Sequence, residues 1–261
     1  MKNFNFHTVA TVKEASKLIS GRAKYLAGGM TLIPAVKLRL AAYSDLINIK
    51  KIKSLSGIKV SSKSLKIGSV TKHSEVASSR EVKKTIVSLS DLAEGIGDPQ
   101  VRNRGTIGGS IANNDPAADY PSACLALNAT IHTNRKKIPA DKFFTGMFET
   151  ALKKGELIEA VEFEIPEKSS YSKFSNPASR YAIVGVYVAK FKKEVRVAIT
   201  GAASCVFRSS ELEDALLNNF SPSAIDSISI SSKDFNSDIH ASAEYRAHII
   251  KVMTKKAVSN C

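Results

Sequence analysis

Cysteine is scarce in this chain of 261 residues, and the three that occur lie far apart, at Cys124, Cys205 and Cys261. Their number is odd and none belongs to a C-x-x-C pair, so the sequence supports neither a disulfide framework nor a cysteine-ligated metal site. The five histidines share no metal-ligand spacing. We therefore expect no metal bound to this chain, and a reducing, cytoplasmic environment.

Long apolar runs are absent as well. No stretch approaches the roughly 20 consecutive apolar residues that a bilayer-spanning helix needs. The first residues, MKNFNFHTVATVKEA, contain no apolar core followed by a small-residue cleavage site, so we expect no secretory signal. Hydrophobic residues make up 43% of the chain, which is typical of a packed globular protein and excludes extended disorder.

Acidic residues are under-represented. The chain has 38 Lys and Arg against 24 Asp and Glu, which gives a formal net charge of +14. Such a charge is found in proteins that bind nucleic acid, an anionic ligand or an acidic partner. The basic residues are scattered as Lys-Lys pairs and are not collected in one arm or aromatic RNA-binding motif. We therefore expect no nucleic-acid binding and a lysine-rich solvated surface, with docking to an acidic partner as the alternative.

Helical and strand patterns alternate along the chain without internal repeats. Thr11 and Glu14 form a capping box that starts the first helix. The patterns predict helices over 12–19, 33–40, 82–96, 210–219 and 240–258, and strands over 24–27, 46–49, 58–60, 65–68, 158–165, 181–191 and 195–203. The segment Glu167–Ser179 is rich in Ser, Lys and Pro, and it is the predicted linker between two parts of an α+β protein.

The first candidate ligand site is the glycine pair in Ala27-Gly28-Gly29-Met30-Thr31, between a predicted strand and a predicted helix. Glycines here allow a sharp turn and close approach of a ligand, and exposed backbone amides attract phosphate. The spacing matches neither G-x-G-x-x-G nor G-K-[ST], so neither a Rossmann fingerprint nor a P-loop is present. A plain strand–turn–helix junction is the alternative interpretation.

The second candidate site is the run RNRGTIGGS over 102–110, which leads to NNDPAAD over 113–119. Amides and hydroxyls can hold a diphosphate, and a carboxylate can accept hydrogen bonds from sugar hydroxyls or an adenine amine. Two phosphate-type loops in one chain support each other, because one dinucleotide could lie between them.

Three segments resemble one known family: LAGGMTLIPAVKLRL over 26–40, GDPQVRNRGTIGGSIANNDPAADYPSACLALNA over 97–129, and AEYRAHIIKVMTKKA over 243–257. They are similar to the FAD-binding medium subunits of molybdenum hydroxylases. That family includes the carbon monoxide dehydrogenase flavoprotein and the flavin domain of xanthine dehydrogenase. The resemblance covers nearly the whole chain, with the segments in the same order.

The resemblance implies an α+β architecture with a vanillyl-alcohol-oxidase-type (PCMH-like) FAD-binding fold. This fold has two α/β subdomains, followed by a C-terminal α/β domain with a small antiparallel sheet and helices. On this basis we expect an FAD-binding domain over 1–168, with subdomains of about 1–57 and 58–168. The C-terminal domain is expected over 169–261.

The resemblance also implies which residues hold FAD. The first pyrophosphate loop of the family is matched by Leu26, Ala27, Gly28, Gly29, Met30, Thr31, Leu32 and Ile33, and the second by Thr106, Ile107, Gly108, Gly109 and Ser110. Asp119 matches a family aspartate near the adenosine half, Ile96 a residue close to the cofactor, and Lys173 a lysine near the flavin. Met30 stands where Gln, His or Ser is commoner, and Ser110 where Asn often occurs.

The function implied by the resemblance is electron transfer within a larger enzyme. A large subunit with a molybdenum cofactor would oxidise the substrate, and a small subunit would pass electrons through two [2Fe-2S] clusters to FAD in this chain. An external acceptor such as NAD or a quinone would then be reduced. We expect a dimer of heterotrimers, with neither catalytic side chains nor a metal in this chain.

Two other functions fit parts of the sequence. The chain could be a standalone FAD-dependent oxidoreductase of similar fold, or a basic binding module without enzymatic activity. The C-terminal run YRAHIIKVM favours the hydroxylase subunit, because its resemblance is to that family.

Overall fold

The computed structural model describes residues 2–261, and it begins with a three-stranded parallel sheet. The strands are β1 (Asn5–Thr8), β2 (Lys24–Leu26) and β3 (Asp45–Asn48), with β3 in the centre. Two helices connect them, α1 (Val12–Leu18) and α2 (Leu32–Lys37). Each connection is a strand–helix–strand unit, since parallel neighbours need a crossover.

The capping box predicted at the start of α1 is present in modified form. The Glu14 amide donates to Thr11 Oγ1 over 3.1 Å, which satisfies one of the unpaired amides of the first turn. The Glu14 carboxylate reaches back to the amide of Ala10, one residue before the cap. Ala15 is fully buried and anchors the helix to the sheet.

The second sheet is antiparallel and has the order β4-β5-β10-β6-β7. Its strands are β4 (Ile58–Val60), β5 (Ser64–Gly68), β6 (Thr130–Thr133), β7 (Lys137–Pro139) and β10 (Ile158–Glu164), and a small hairpin of β8 (Phe144–Gly146) and β9 (Glu149–Thr150) lies between them in sequence. The alternation predicted over 158–165 is confirmed, because β10 is the central strand and buries Ile158, Val161 and Phe163.

Six helices lie between β5 and β6 in the chain, and all but the fourth contribute buried residues to the largest hydrophobic core, which packs against this sheet. They are α3 (His73–Ser78), α4 (Arg80–Thr85), α5 (Val87–Glu94), α6 (Pro99–Arg102), α7 (Ile107–Asn113) and α8 (Tyr120–Ala126). The prediction of one helix over 82–96 is wrong. Ile86 leaves helical geometry with φ −141° and its side chain is buried, so α4 and α5 are separate. No Gly or Pro near this position signals the break.

The third sheet is antiparallel, with the order β11-β12-β13-β14. Its strands are β11 (Lys168–Ser175), β12 (Ala182–Lys190), β13 (Val195–Thr200) and β14 (Phe207–Arg208). One face packs against α9 (Ser210–Asn218) and α10 (Ala243–Ser259), and the other against α5 and α8. Because helices cover both faces, β12 and β13 carry long apolar runs.

The predicted linker over 167–179 is wrong for most of its length. Residues 168–175 form β11, which pairs with β12 along eight residues. Two of its inward positions are the buried serines Ser170 and Ser172. Small hydroxyl residues therefore occupy places where apolar residues would have signalled a strand, which explains why the polar composition was misleading.

Two features are absent from the described residues: membrane-spanning helices and groups of metal-binding side chains. Within residues 2–261, no helix has the length and apolar character needed to cross a bilayer. In the same range, no group of three or more His, Cys, Asp or Glu side chains is arranged to hold a metal ion.

Candidate cofactor-binding site

A cleft of 1020 Å³ lies beside the junction between the parallel sheet and the following part of the chain and is lined by both glycine segments. Further walls come from the β8–β9 hairpin and from Ser179–Tyr181, before β12. Ligand pockets usually measure about 300–1,000 Å³, so this cleft suits a ligand as large as a dinucleotide.

The first glycine segment, residues 28–32, offers unpaired backbone donors to the cleft. Across residues 2–261, no acceptor pairs with the amides of these five residues, and all five line the cleft. Gly29 has φ +78°, a conformation that L side chains rarely adopt. Unpaired amides need an acceptor, and phosphate oxygens form strong, charge-assisted hydrogen bonds with them. This segment is therefore suited to bind a diphosphate.

The second glycine segment, residues 106–110, is the beginning of α7 and is paired internally. The four successive amides donate within the chain: Ile107 N to Thr71 O, Gly108 N to Ser69 O, Gly109 N to Thr106 Oγ1 and Ser110 N to Thr106 O, at 2.9–3.1 Å. Thr106, Gly108, Gly109 and Ser110 line the cleft, and the Thr106 hydroxyl already accepts the hydrogen bond from the Gly109 amide.

The two glycine segments touch each other at one edge of the cleft. A Cβ on Gly28 would lie 2.3 Å from the carbonyl oxygen of Arg104 and 2.8 Å from Cα of Gly105. A Cβ on Gly108 would lie 2.5 Å from Cβ of Ser69. Glycine at these positions is required by close packing against neighbouring protein atoms, mostly backbone. A Cβ on Gly109 would meet one atom, the side-chain oxygen Thr106 Oγ1, at 2.9 Å.

His73 forms part of the cleft wall, although nothing in its sequence context distinguishes it from the other four histidines. It is 5% exposed, and its Nδ1 has no hydrogen-bond partner in the described chain. Burial, with a smaller effect of Arg102, lowers the pKa of His73 from 6.5 to about 4. The imidazole is therefore neutral near pH 7.

Asp119 and Lys173, which the resemblance assigned to different halves of the cofactor, lie side by side. Lys173 Nζ is 3.0 Å from Asp119 Oδ1, and the Tyr171 hydroxyl donates to the same oxygen over 2.5 Å. Burial raises the pKa of the Asp119 carboxyl, while Lys173 and Tyr171 act in the opposite direction. Asp119 therefore lines the cleft, and Lys173 lies behind it at the same end.

Most of the sequence-predicted site residues do line the cleft. They are Leu26, Ala27, Gly28, Gly29, Met30, Thr31, Leu32, Ile96, Thr106, Gly108, Gly109, Ser110 and Asp119. Three others do not. Ile33 packs beside Gly29, Ile107 is fully buried in the core, and Lys173 lies behind Asp119.

Several cleft residues were not predicted from the sequence. Tyr25 lies just before the first glycine segment, whereas Phe148, Leu157, Ile158, Arg180 and Tyr181 come from parts of the chain without a glycine pair. Phe148 has φ +56° and is 56% exposed, so a strained backbone places an aromatic side chain at the mouth of the cleft. Aromatic and apolar side chains from separate elements carry no local sequence signal.

Comparison with known proteins identifies the family. A model described as the FAD binding domain in molybdopterin dehydrogenase matches residues 2–168, and one described as the CO dehydrogenase flavoprotein C-terminal domain matches residues 169–261. The glyceraldehyde dehydrogenase medium chain of Sulfolobus acidocaldarius is 34% identical, over 97% of this chain and 96% of that protein. The carbon monoxide dehydrogenase medium chain of Hydrogenophaga pseudoflava is 32% identical, over 98% of this chain and 96% of that protein.

A solved structure gives the same result. Reconstituted CO dehydrogenase from Oligotropha carboxidovorans contains a chain that superposes with a TM-score of 0.91 at 26% identity, over 99% of this chain and 97% of that one. FAD is therefore the cofactor of this chain, and molybdenum and iron–sulfur groups belong to other subunits of such enzymes. The protein belongs to the family of FAD-binding medium subunits of molybdenum hydroxylases, as an oxidoreductase subunit.

Proposed function

We propose that the cleft is the FAD site and that residues 28–32 bind the diphosphate through their backbone amides. The unpaired amides are the observation that carries this assignment, because backbone donors that line a cleft and have no acceptor in the protein are available to phosphate oxygens. Leu26, Ala27 and the hydroxyls of Thr106 and Ser110 extend the contact surface on either side. Gly108 and Gly109 let the cofactor approach the start of α7, while Ile33 and Ile107 support the two segments from the core.

The other end of the cleft is proposed to hold the flavin. Ile96 supplies an apolar contact there, and Asp119 supplies a buried carboxylate that accepts hydrogen bonds from Tyr171 and Lys173. His73 lies away from this end, beside Gly105 and behind the second glycine segment, where its neutral imidazole adds no charge to the cleft wall. These residues bind and orient the cofactor, and none forms a nucleophile–base pair.

The proposed role of the protein is electron transfer in a heteromeric hydroxylase. Bound FAD supplies redox chemistry that links [2Fe-2S] clusters of a small partner subunit to an external acceptor. A large partner subunit with the molybdenum cofactor would oxidise the substrate, and the complex would be a dimer of heterotrimers in the cytoplasm. The task of this chain is to hold the cofactor and exclude water from its reactive end.

The domain organisation is proposed in the same terms. The parallel sheet and the five-stranded sheet would be the two subdomains, about 1–57 and 58–168, of a vanillyl-alcohol-oxidase-type (PCMH-like) FAD-binding domain. Residues 169–261 would be the C-terminal domain. Support comes from the order of the three sheets along the chain and from the change of sheet at Lys168.

The test is a visible absorption spectrum of the purified chain after addition of FAD and desalting, with riboflavin as the matched control. Riboflavin has the flavin ring without a diphosphate, so the amide assignment predicts retention of FAD and loss of riboflavin. The same measurement on material co-purified with its partner subunits tests whether FAD binds only when the complex is assembled. A colourless protein in both preparations would contradict the proposal.

A further inference from the structure

Lys173 is a lysine whose hydrogen-bonding capacity is fully used by the chain. An ammonium group has three N–H donors. Lys173 Nζ lies 2.9 Å from Gly95 O, 2.9 Å from Arg180 O and 3.2 Å from Asp119 Oδ2. The side chain is 9% exposed and does not line the cleft. No donor of this lysine is left for a ligand.

The three acceptors belong to three separate segments that meet at one end of the cleft. Gly95 begins the turn that carries Ile96 and Gly97, Asp119 precedes α8, and Arg180 precedes Tyr181. Ile96, Asp119 and Tyr181 all line the cleft. One ammonium group on β11 therefore connects three pieces of the cleft wall.

The turn over 95–97 is held by cations at every carbonyl. Gly95 O accepts from Lys173, Ile96 O accepts from Arg102 over 3.2 Å, and Gly97 O accepts from both Arg102 and Arg180 over 3.1 and 3.2 Å. Hydrogen bonds to charged donors are stronger than neutral ones. These charged donors hold the backbone of the turn in place, and the apolar side chain of Ile96 faces the cleft.

We propose that Lys173 is a positioning residue that assembles the Ile96–Asp119–Tyr181 wall and does not itself contact the cofactor. The proposal rests on the assignment of the cleft as the FAD site. It differs from two other roles that a lysine could have here, namely a direct contact with the flavin and simple neutralisation of the Asp119 charge.

The first experiment uses the apoprotein, so that it does not depend on bound FAD. Deuterium uptake is compared by mass spectrometry in wild type, Lys173→Met and the matched control Lys168→Met, which removes an exposed lysine of the same strand. We expect severalfold faster uptake over 93–98 and 178–183 in Lys173→Met alone. Equal uptake in all three proteins would overturn the proposal, because a lysine that contacts only the cofactor leaves the apoprotein unchanged.

The second experiment separates positioning from charge neutralisation by FAD titration. Lys173→Met leaves the buried Asp119 carboxylate without its opposite charge. Asp119→Asn and the double variant Lys173→Met/Asp119→Asn are therefore measured as well, because they lack this carboxylate. We expect FAD to bind the double variant about tenfold or more weakly than Asp119→Asn. The reason is that the three hydrogen bonds from the Lys173 ammonium group to the cleft wall are lost. Equal affinity of these two variants would show that neutralising Asp119 is the whole role of Lys173.

The third readout is the visible circular dichroism of FAD bound at saturation. A displaced Ile96 turn changes the surroundings of the flavin, so we expect an altered spectrum for the double variant relative to Asp119→Asn, and a wild-type spectrum for Lys168→Met. An unaltered spectrum would contradict positioning. If wild type itself binds no FAD, the proposed function fails. The deuterium-uptake comparison still tests whether the three hydrogen bonds of Lys173 hold the wall together.

Discussion

The two glycine segments of the cleft look alike in sequence and differ in what they offer a ligand. Residues 28–32 leave five amides without an acceptor in the described chain, whereas the four amides from Ile107 to Ser110 are all paired internally. The first segment therefore provides hydrogen-bond donors, and the second provides a tightly packed surface with two hydroxyls. A glycine pair indicates that another group approaches the backbone closely, but it does not show whether that group is a ligand or another part of the protein.

The packing around each glycine explains this difference. Gly28 is in contact with the backbone of Arg104 and Gly105, and Gly108 with Ser69, so both are needed for the fold itself. Gly29 is needed for its positive φ. Gly109 is the position at which a side chain would project toward the cleft, and it is therefore the most direct test of ligand contact.

The largest expected effect comes from Gly109→Asp, which should abolish measurable FAD binding. The carboxylate would lie beside the cofactor and repel its diphosphate. The Thr106 side chain must shift, because a Cβ on Gly109 would lie 2.9 Å from its Oγ1. The fold should persist, since an acidic residue in the first turn of a helix is favourable by about 0.3–1 kcal/mol. FAD titration followed by flavin fluorescence measures the loss, and thermal unfolding checks the fold.

Gly109→Asn is the control for size, because it has the same shape without the charge. We expect it to retain more affinity than Gly109→Asp. Stoichiometric FAD in Gly109→Asp would remove the second segment from the site and leave the first as the sole phosphate contact.

Gly28→Ala tests the contact between the two segments. The new methyl group would lie 2.3 Å from a backbone oxygen that cannot rotate away, so the segments must separate. Overpacking of this kind costs about 1–3 kcal/mol of the free energy of unfolding, and FAD affinity should fall with it. Urea unfolding of the apoprotein measures the first effect.

Gly146→Ala is the matched control for Gly28→Ala. Its methyl group would lie 3.3 Å from the flexible carboxylate of Glu149, which can move. We expect less than half of the destabilisation found for Gly28→Ala. Similar values for the two variants would mean that the contact at Gly28 is not tight.

His73→Gln tests the packing behind the second segment through pH. A pKa lowered from 6.5 to about 4 means that the folded state resists protonation while the unfolded state accepts it. The stability present above pH 6.5 is therefore lost as the pH falls toward 4. Between pH 7 and 5, wild type should lose about 2 kcal/mol more than His73→Gln.

The measurement is urea unfolding of the apoprotein at both pH values, with His248→Gln, on the exposed face of α10, as control. The control should lose as much stability as wild type. If His73→Gln keeps the wild-type pH dependence, the imidazole is not held in a desolvated environment.

The smallest expected effect is that of Thr106→Val, which removes the N-cap of α7. The Gly109 amide loses its acceptor, at a cost of about 1 kcal/mol in stability, and FAD affinity should fall severalfold. Thr11→Val makes the same change at α1, outside the cleft, and should destabilise the fold without affecting FAD. Equal FAD affinities for the two variants would place the cap outside the site.

Much of the fold could be predicted from the sequence where one face of an element is apolar. The alternation over 158–165 indicated β10, and the apolar runs over 181–191 and 195–203 indicated β12 and β13. The prediction fails where the buried side chains are polar, or where a helix is interrupted without a helix-breaking residue nearby. Ser170 and Ser172 are buried in β11, and Ile86 separates two helices without Gly or Pro.

The site was predictable to the extent that it is contiguous in sequence. Both glycine segments and Asp119 carry local signatures, and they line the cleft. His73, Phe148 and Tyr181 carry none, because their role depends on elements that are distant along the chain. Lys173 matched the family pattern, but its side chain bonds to Asp119 and two carbonyls behind the wall.

The sequence by itself determined the α+β class, the two glycine segments, the basic charge and the family. The first three are properties of composition, periodicity and order along the chain, and the family follows from resemblance to known sequences. The tertiary structure alone decided which amides stay unpaired, which glycines contact protein, and that Asp119 and Lys173 share one end of the cleft. Hydrogen bonds and close contacts join residues far apart in sequence, so local patterns cannot specify how each donor and acceptor is used.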